Sequence, residues 1–163
     1  MATILVSACL LGDNVRYDGG NSLIEHAAIK NWLDQGRIVK VCPEREGGLP
    51  VPRPAAEIIS RFPPRIMDAK QNDFTSEFLD GAERARLLAK QHKACCALMK
   101  SKSPSCSNGQ VYDGSFSRTL TDGPGIAAAE LLQYGIPVFN EHQLTELVNF
   151  VAEFDKSSLQ IAD

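Results

Sequence analysis

Residues 94–109 read ACCALMKSKSPSCSNG, an apolar run that passes directly into a polar loop. Residues 94–99 are apolar throughout, which is typical of a fully buried strand in a parallel sheet. The loop over 100–109 holds four serines, one proline and one cysteine, and it ends in Asn-Gly, a turn signal. A loop of this kind can present a thiol, hydroxyls and backbone N–H groups, so it marks a candidate functional site.

Two further cysteines stand in the same position relative to a strand. Cys9 follows the apolar residues 3–8, and Cys42 follows residues 37–41. With Cys106, three cysteines therefore lie at strand exits. Ligands of parallel α/β sheets bind at the carboxyl ends of the strands, so we expect the three thiols to converge if their strands are neighbours.

Strand and helix patterns alternate along the chain. Strands are predicted over 3–8, 37–42, 94–99 and 136–139, and helices after a Ser22-x-x-Glu25 capping box as far as Gly36, over 75–92, from Asp122-Gly123-Pro124 to Gly135, and after Asn140. This alternation predicts a three-layer α/β fold with a mostly parallel sheet of four to five strands. We expect one domain over 1–163, with a frayed tail after about residue 155.

The segment between the second strand and the long helix is rich in proline and glycine. These residue types argue against helix or central strand over 43–54. Two interpretations stay open there, a rigid surface loop and a wall over a binding site. Residues 56–72 fit either a short strand or a covering flap.

The composition excludes several classes of protein. The 163 residues are 44% hydrophobic and 23% charged with a formal net charge of −3, which is typical of a globular protein and gives no electrostatic indication of nucleic-acid binding. No signal-peptide pattern and no apolar run of about 18 residues is found, so we expect a cytoplasmic protein without a membrane span. Five cysteines without a framework spacing are expected to be free, metal-binding or catalytic.

Three converging thiolates allow three interpretations. They could bind a catalytic zinc ion, or an iron–sulfur cluster with one iron left open to a substrate atom. They could also be small buried apolar residues. The chain has no Cys-x-x-Cys pair, which argues against a structural zinc site.

The histidines and the two remaining cysteines are not predicted to be metal ligands. His26, His92 and His142 lie in or at the starts of predicted helices, where surface positions are expected. Cys95 and Cys96 lie in the middle of a strand, so we predict that they are core residues.

Five segments of the chain, taken together, resemble one known family, the thiouracil desulfidases. They are VSACLLG (6–12), RYDGGN (16–21), VCPE (41–44), GGLPVPRP (47–54) and KSPSC (102–106). The resemblance covers about residues 3–139. Several motifs in the same order are far more specific than any one of them.

The resemblance implies a Rossmann-like domain that carries a [4Fe-4S] cluster on Cys9, Cys42 and Cys106. The fourth iron would be open and would bind the substrate sulfur. The implied reaction is the non-redox removal of sulfur from a small thiolated pyrimidine, 2- or 4-thiouracil as a base or a nucleotide, to give uracil and sulfide.

The same resemblance implies roles for residues around the cluster. Glu44 is the first choice for the general acid–base group, because it stands two residues past a cluster ligand. Ser101 and Ser103 could hydrogen-bond the base or the water, or they could cap the loop. The remaining substrate-binding candidates are Tyr17, Asn21, Arg53 and Ser105.

Two other function classes stay open. One is a zinc-dependent hydrolase that uses the same three thiolates. The other is a non-enzymatic iron–sulfur carrier or sensor.

Overall fold

The computed structural model describes residues 1–162, and it confirms the predicted alternation of strands and helices. In chain order the elements are β1 (Thr3–Ser7), a 3-10 turn (Ala8–Leu11), α1 (Ala27–Asp34), β2 (Ile38–Val41), α2 (Pro43–Glu46), β3 (Ala56–Arg61), β4 (Pro64–Asp68), α3 (Thr75–Gln91), β5 (Ala94–Leu98), β6 (Gln110–Tyr112), β7 (Leu120–Asp122), α4 (Ile126–Gln133), β8 (Val138–Phe139) and α5 (Leu144–Ala162).

The central sheet has four parallel strands in the order β2-β1-β5-β8. Ser7 pairs with Val41, and Val6 pairs with Leu98. The strands β2, β1 and β5 therefore end side by side at one edge of the sheet. This arrangement confirms the predicted mostly parallel sheet and makes the three cysteine-bearing strands neighbours.

Helices cover both faces of the sheet. Ile4 and Val6 pack in one core with α1 and α5, whereas Leu5 packs on the other face with α3 and α4. The buried helical residues of these layers are Ile29, Trp32, Leu147 and Val151 on the first face, and Ala85, Ala89 and Leu131 on the second. The period-2 alternation of the strands thus builds the predicted three layers.

Two small antiparallel hairpins, β3–β4 and β6–β7, stand apart from the sheet. The Glu57 carboxylate joins them, because its Oε1 atom accepts the amide N–H groups of Gly114 at 3.0 Å and Phe116 at 3.2 Å. A third apolar cluster anchors them to α3 through Leu49, Ile58, Ile66, Phe78 and Val111. Residues 56–72 are therefore mostly a hairpin, where a short strand or a flap was expected.

The first helix is shorter than the capping-box pattern predicts. It begins at Ala27, and the ring of His26 accepts the Ala28 amide N–H at 3.2 Å. The amide N–H groups of Ser22 and Ile24 instead donate to carbonyl groups in the turn after β1. The expected cap at Ser22 is wrong because this tertiary pairing holds residues 22–24 outside the helix.

The segment 43–54 also differs from expectation at its start. Pro43–Glu46 forms one helical turn, where no helix was expected. Proline is compatible with the first turn of a helix, because the amide N–H that it lacks has no partner there. The double glycine then ends the turn.

The carboxyl-terminal helix α5 extends from Leu144 to Ala162, and fraying of the tail after about residue 155 stays a prediction. Asp155 connects this helix to the start of the chain. Its carboxylate accepts the Ala2 amide N–H at 3.0 Å and forms an ion pair with Arg37 at 2.8 Å. This contact ties the middle of α5 to the residues that directly precede β1 and β2. Among the helices of the described residues, none is long and apolar enough to cross a membrane.

The short helix α2 lies against α3 with the two backbones in direct contact. A Cβ atom on Gly47 would overlap the Glu77 carbonyl oxygen, and one on Gly81 would overlap the Pro43 carbonyl oxygen. Glycine is therefore required at both positions for steric reasons. The contact fixes the position of α2 relative to the end of β2.

We predict that Gly81→Ala lowers the free energy of unfolding by about 1–3 kcal/mol, because the added methyl group overpacks this contact. Alanine is otherwise the better helix former by roughly 1 kcal/mol, so the sign of the change is informative. Urea unfolding measures it. Gly109→Ala is the matched control, since an added Cβ there meets nothing within 4 Å. A Gly81→Ala variant as stable as the parent protein would contradict the steric argument.

Candidate active site

A cavity of about 920 Å³ lies at the carboxyl edge of the central sheet. Its lining includes Cys9, Cys42 and Cys106, so the three cysteines at the strand exits converge on one space. The volume lies within the range of roughly 300–1,000 Å³ that is usual for small-molecule sites. Glu44, Arg53 and Pro54 also line it, so both ends of the segment over 43–54 contribute to its wall.

Local structure after each strand positions the first two thiols. Cys9 lies in the 3-10 turn that follows β1 directly, and this turn ends at Gly12 with a left-handed φ of 96°. Cys42 is the residue that precedes α2, and its Sγ atom lies 3.9 Å from the Val15 carbonyl oxygen. Both thiols therefore belong to short turns of hydrogen-bonded backbone that directly follow a strand.

The third thiol, on Cys106, sits in a loop that is organised by its own serines. The Ser103 hydroxyl oxygen accepts the amide N–H groups of Ser105 at 3.2 Å and Cys106 at 3.0 Å. It also lies 3.2 Å from the Ser105 hydroxyl. Ser103 thus behaves as the cap of the cysteine loop, one of the two roles considered for it.

Helix α4 supports the same loop from behind. The first turn of a helix has amide N–H groups without intrahelical partners, and here Ile126 donates to the Pro104 carbonyl at 2.9 Å and Ala128 to the Ser105 carbonyl at 3.0 Å. A Cβ atom on Gly125 would overlap the Ser105 backbone. The glycine lets the helix approach closely enough to make these bonds.

The environment of the three thiols disfavours their charged forms in the free chain. Burial, and then the negative charge of Cys42, raises the pKa of Cys9 to about 11. Burial raises the pKa of Cys106 to about 12, although hydrogen bonds with Ser7 and Ser105 oppose that rise. Burial also raises the pKa of Cys42. Three thiolates in this cavity therefore need a positively charged group to stabilise them together.

The donor set is soft and suits iron–sulfur or zinc chemistry. Among the described residues, no three His, Cys, Asp or Glu side chains are placed to hold one metal ion. A polynuclear iron–sulfur cluster is held by several thiolates that need not meet at a single centre. The three thiols of the cavity fit such a cluster.

Glu44 is held by a buried ion pair. Its Oε1 atom accepts a hydrogen bond from Arg53 Nε at 3.2 Å, and its Oε2 atom accepts one from the Ser105 hydroxyl at 3.2 Å. The other N–H groups of Arg53 donate to the carbonyls of Val15 at 2.9 Å and Pro50 at 3.1 Å. Ser105 is 1% exposed and is not among the residues that line the cavity. Arg53 and Ser105, both expected to contact substrate, therefore hold the carboxylate in place.

Ser101 lines the cavity and is tied to two charged residues that sequence reasoning missed as site residues. Its amide N–H donates to Glu141 Oε1 at 2.8 Å, and Lys100 forms an ion pair with Glu141 Oε2 at 3.0 Å. Burial alone would raise the pKa of the Glu141 carboxyl, but hydrogen bonds from Ser101, its own amide and Lys100 lower that pKa below its usual value. No local signal marks Glu141, because it lies 40 residues from Ser101 in the chain.

The two remaining pocket candidates differ in position. Tyr17 lines the cavity, and its carbonyl oxygen accepts the Arg53 amide N–H at 2.8 Å. Asn21 is not among the lining residues. Its amide group donates to Asn14 at 2.9 Å and accepts the Leu23 N–H at 3.0 Å. The structure therefore places Tyr17 at the cavity and gives Asn21 a part in the loop.

The other cysteines and the histidines lie where the sequence predicts. Cys95 and Cys96 are buried in β5, at 8% and 0% exposure. All three histidines are exposed. The five cysteines, all of them within the described residues, form no disulfide bond.

Comparison with known proteins gives three matches. Residues 4–143 match the family model described as 2-thiouracil desulfurase. An uncharacterised Bacillus subtilis (strain 168) protein, YbbK, is 36% identical over 152 residues, which cover 89% of this chain and 99% of YbbK. A solved structure of a [4Fe-4S]-dependent thiouracil desulfidase, TudS, is 40% identical with a TM-score of 0.90, covering 93% of this chain and 99% of that protein.

These matches agree with the resemblance that the five sequence segments indicate. The family model spans all three cavity cysteines, Glu44, and the Lys100–Glu141 contact. The fold similarity extends over nearly the whole length of both chains. This chain belongs to the 2-thiouracil desulfurase family.

Proposed function

We propose that this chain is an enzyme that removes sulfur from thiolated pyrimidines without a redox step. Thiouracil and water would give uracil and hydrogen sulfide, with the oxygen of water replacing the sulfur on the ring carbon. The observation that carries the proposal is the convergence of three thiols and a positioned carboxylate, Glu44, in one cavity. Family membership supports the substrate class.

Cys9, Cys42 and Cys106 are the residues that would hold a [4Fe-4S] cluster. The similar structure, TudS, is named as a protein that depends on such a cluster. When bound by three thiolates, the cluster supplies an iron without a protein ligand, a Lewis acid that attracts a thione sulfur and polarises the carbon–sulfur bond. The remaining chemistry falls to the side chains of the cavity.

Glu44 is the proposed general acid–base residue. Its carboxylate would accept a proton from water as the water oxygen bonds to the ring carbon, and the same proton would be available to the departing sulfur. Arg53 and Ser105 hold one carboxylate oxygen each. Their hydrogen bonds restrict the rotation of the carboxylate, so less entropy is lost when water and substrate are aligned.

The cavity is large for a single pyrimidine ring. Its volume of about 920 Å³ admits a thiolated base or its nucleotide. Tyr17 offers an aromatic surface at the lining, and Ser101 offers a hydroxyl. Both are proposed to contact the ring.

The two alternative functions are less well supported. A zinc hydrolase needs ligands that meet at one ion, and no three described side chains of ligand type are placed in that way. A carrier or sensor of clusters does not explain why a carboxylate, Glu44, is held by a buried arginine beside the thiols. The following experiments separate these functions.

Anaerobically purified protein is expected to be brown and to contain about four iron atoms and four acid-labile sulfides per chain. Cys106→Ser should lose most of this iron, because a hydroxyl is a poor ligand for a soft site. Cys95→Ala is the matched control and should keep its iron, since Cys95 lies in the core. Full iron retention in Cys106→Ser would refute the ligand assignment, and zinc in place of iron would refute the iron–sulfur cluster.

Glu44→Gln is expected to keep its iron and lose thiouracil turnover by about 100-fold or more, in line with the loss of a general acid–base group. Glu46→Gln is the control, because Glu46 lies on the same helical turn and is exposed. Release of uracil and sulfide measures turnover. A fully active Glu44→Gln protein would exclude the acid–base role, and an inactive but fully loaded parent protein would favour the carrier.

A further inference from the structure

Glu141 is a charged residue beside the cavity, and the proposed mechanism gives it no role. Glu141 follows β8, its side chain is 10% exposed, and it is not among the cavity-lining residues. One of its oxygens accepts the Ser101 amide N–H at 2.8 Å, and the other accepts Lys100 Nζ at 3.0 Å. A buried carboxylate with both oxygens bonded to one loop holds that loop at a defined place.

The ammonium group of Lys100 interacts with other groups of the protein. It has three N–H donors. They are matched by three acceptors, the Ser101 carbonyl oxygen at 3.0 Å, the Ser101 hydroxyl oxygen at 3.3 Å and Glu141 at 3.0 Å. Lys100 therefore lines the cavity without a donor left for a ligand, and its charge acts on Ser101.

The Ser101 hydroxyl is in the opposite situation. Its oxygen accepts a hydrogen bond from a cation, which makes the O–H group a stronger donor by polarisation. Among the hydrogen bonds of the described residues, none uses the Ser101 hydroxyl proton. That proton is free to be donated into the cavity. Ser103 also lines the cavity, but its hydroxyl is already engaged by two amides and by Ser105.

We propose that Glu141 is a positioning residue for desulfuration, which acts through Lys100 to aim and polarise the Ser101 hydroxyl toward the pyrimidine ring. The inference rests on the proposed function. It assigns Ser101, and not Ser103, as the serine that donates to the substrate. The acceptor would be a ring nitrogen or exocyclic oxygen that gains negative charge as water adds to the ring carbon.

The test is a double-mutant cycle on the iron-loaded enzyme. Ser101→Ala is expected to lower kcat/KM for thiouracil by about 100-fold, as for loss of one donor to a developing anion. Glu141→Gln keeps an acceptor for the Ser101 amide but loses the charge that holds Lys100, and should lower kcat/KM by about 10-fold. In the Ser101→Ala background, Glu141→Gln should have no further effect, since residues that act through one group are not additive.

A merely structural role for Glu141 predicts a different outcome. Its loss would then lower kcat/KM by the same factor with or without the Ser101 hydroxyl. Binding of uracil to the loaded enzyme, measured by calorimetry, provides a second cycle that does not depend on turnover. Glu130→Gln is the matched control, because Glu130 forms a partly buried ion pair with Arg86 at 2.8 Å and does not line the cavity. It should leave turnover and iron content unchanged.

Three results would overturn the inference. They are full activity of Ser101→Ala, full activity of Glu141→Gln, or additive losses in both the turnover and the uracil cycles. If Glu141→Gln fails to fold, Lys100→Met takes its place in the cycle, because it removes the N–H group that reaches the Ser101 hydroxyl. An iron-loaded parent enzyme without thiouracil turnover would overturn the proposed function itself, together with this inference.

Discussion

Parallel pairing of three strands is the constraint on which the site depends. Because β2, β1 and β5 are adjacent and end at one edge of the sheet, the residues that follow them share the same space. Cys9 and Cys42 reach it within two residues of their strands, and Cys106 reaches it through a loop. Any change that shifted the register of these strands would separate the thiols.

The polar groups of the cavity are held by hydrogen bonds and ion pairs to residues of its wall and to residues behind the wall. Arg53 is buried in the wall and binds Glu44 together with two backbone carbonyls, so that one side chain fixes both the carboxylate and the segment over 43–54. A buried ion pair of this kind adds little net stability, because desolvation offsets the attraction between the charges. Its value here is the fixed direction of the carboxylate beside the thiols.

Close backbone contacts hold α2 against α3 and α4 against the cysteine loop. Gly47 and Gly81 let α2 rest directly on α3, and Gly125 lets α4 reach the cysteine loop. Glu141 joins the segment after β8 to Ser101. Each support comes from an element distant in sequence from the residue that it holds, so the site is rigid only when the whole three-layer fold has formed.

The amino-acid sequence by itself determined the fold class, the parallel sheet, the cysteines at the strand ends and the core positions of Cys95 and Cys96. These follow from local hydrophobic periodicity and from the placement of turn residues, which short stretches of chain contain. The predicted start of α1 was wrong because tertiary hydrogen bonds hold residues 22–24 outside the helix. The turn over Pro43–Glu46 was not predicted because proline, which disfavours helix interiors, is compatible with a first helical turn. Only the tertiary structure decided that Arg53 and Ser105 hold Glu44, that the Ser103 hydroxyl is used to cap its loop, and that Glu141 supports Ser101. Those assignments depend on hydrogen bonds between residues as far as 61 positions apart, and no local pattern specifies such pairs.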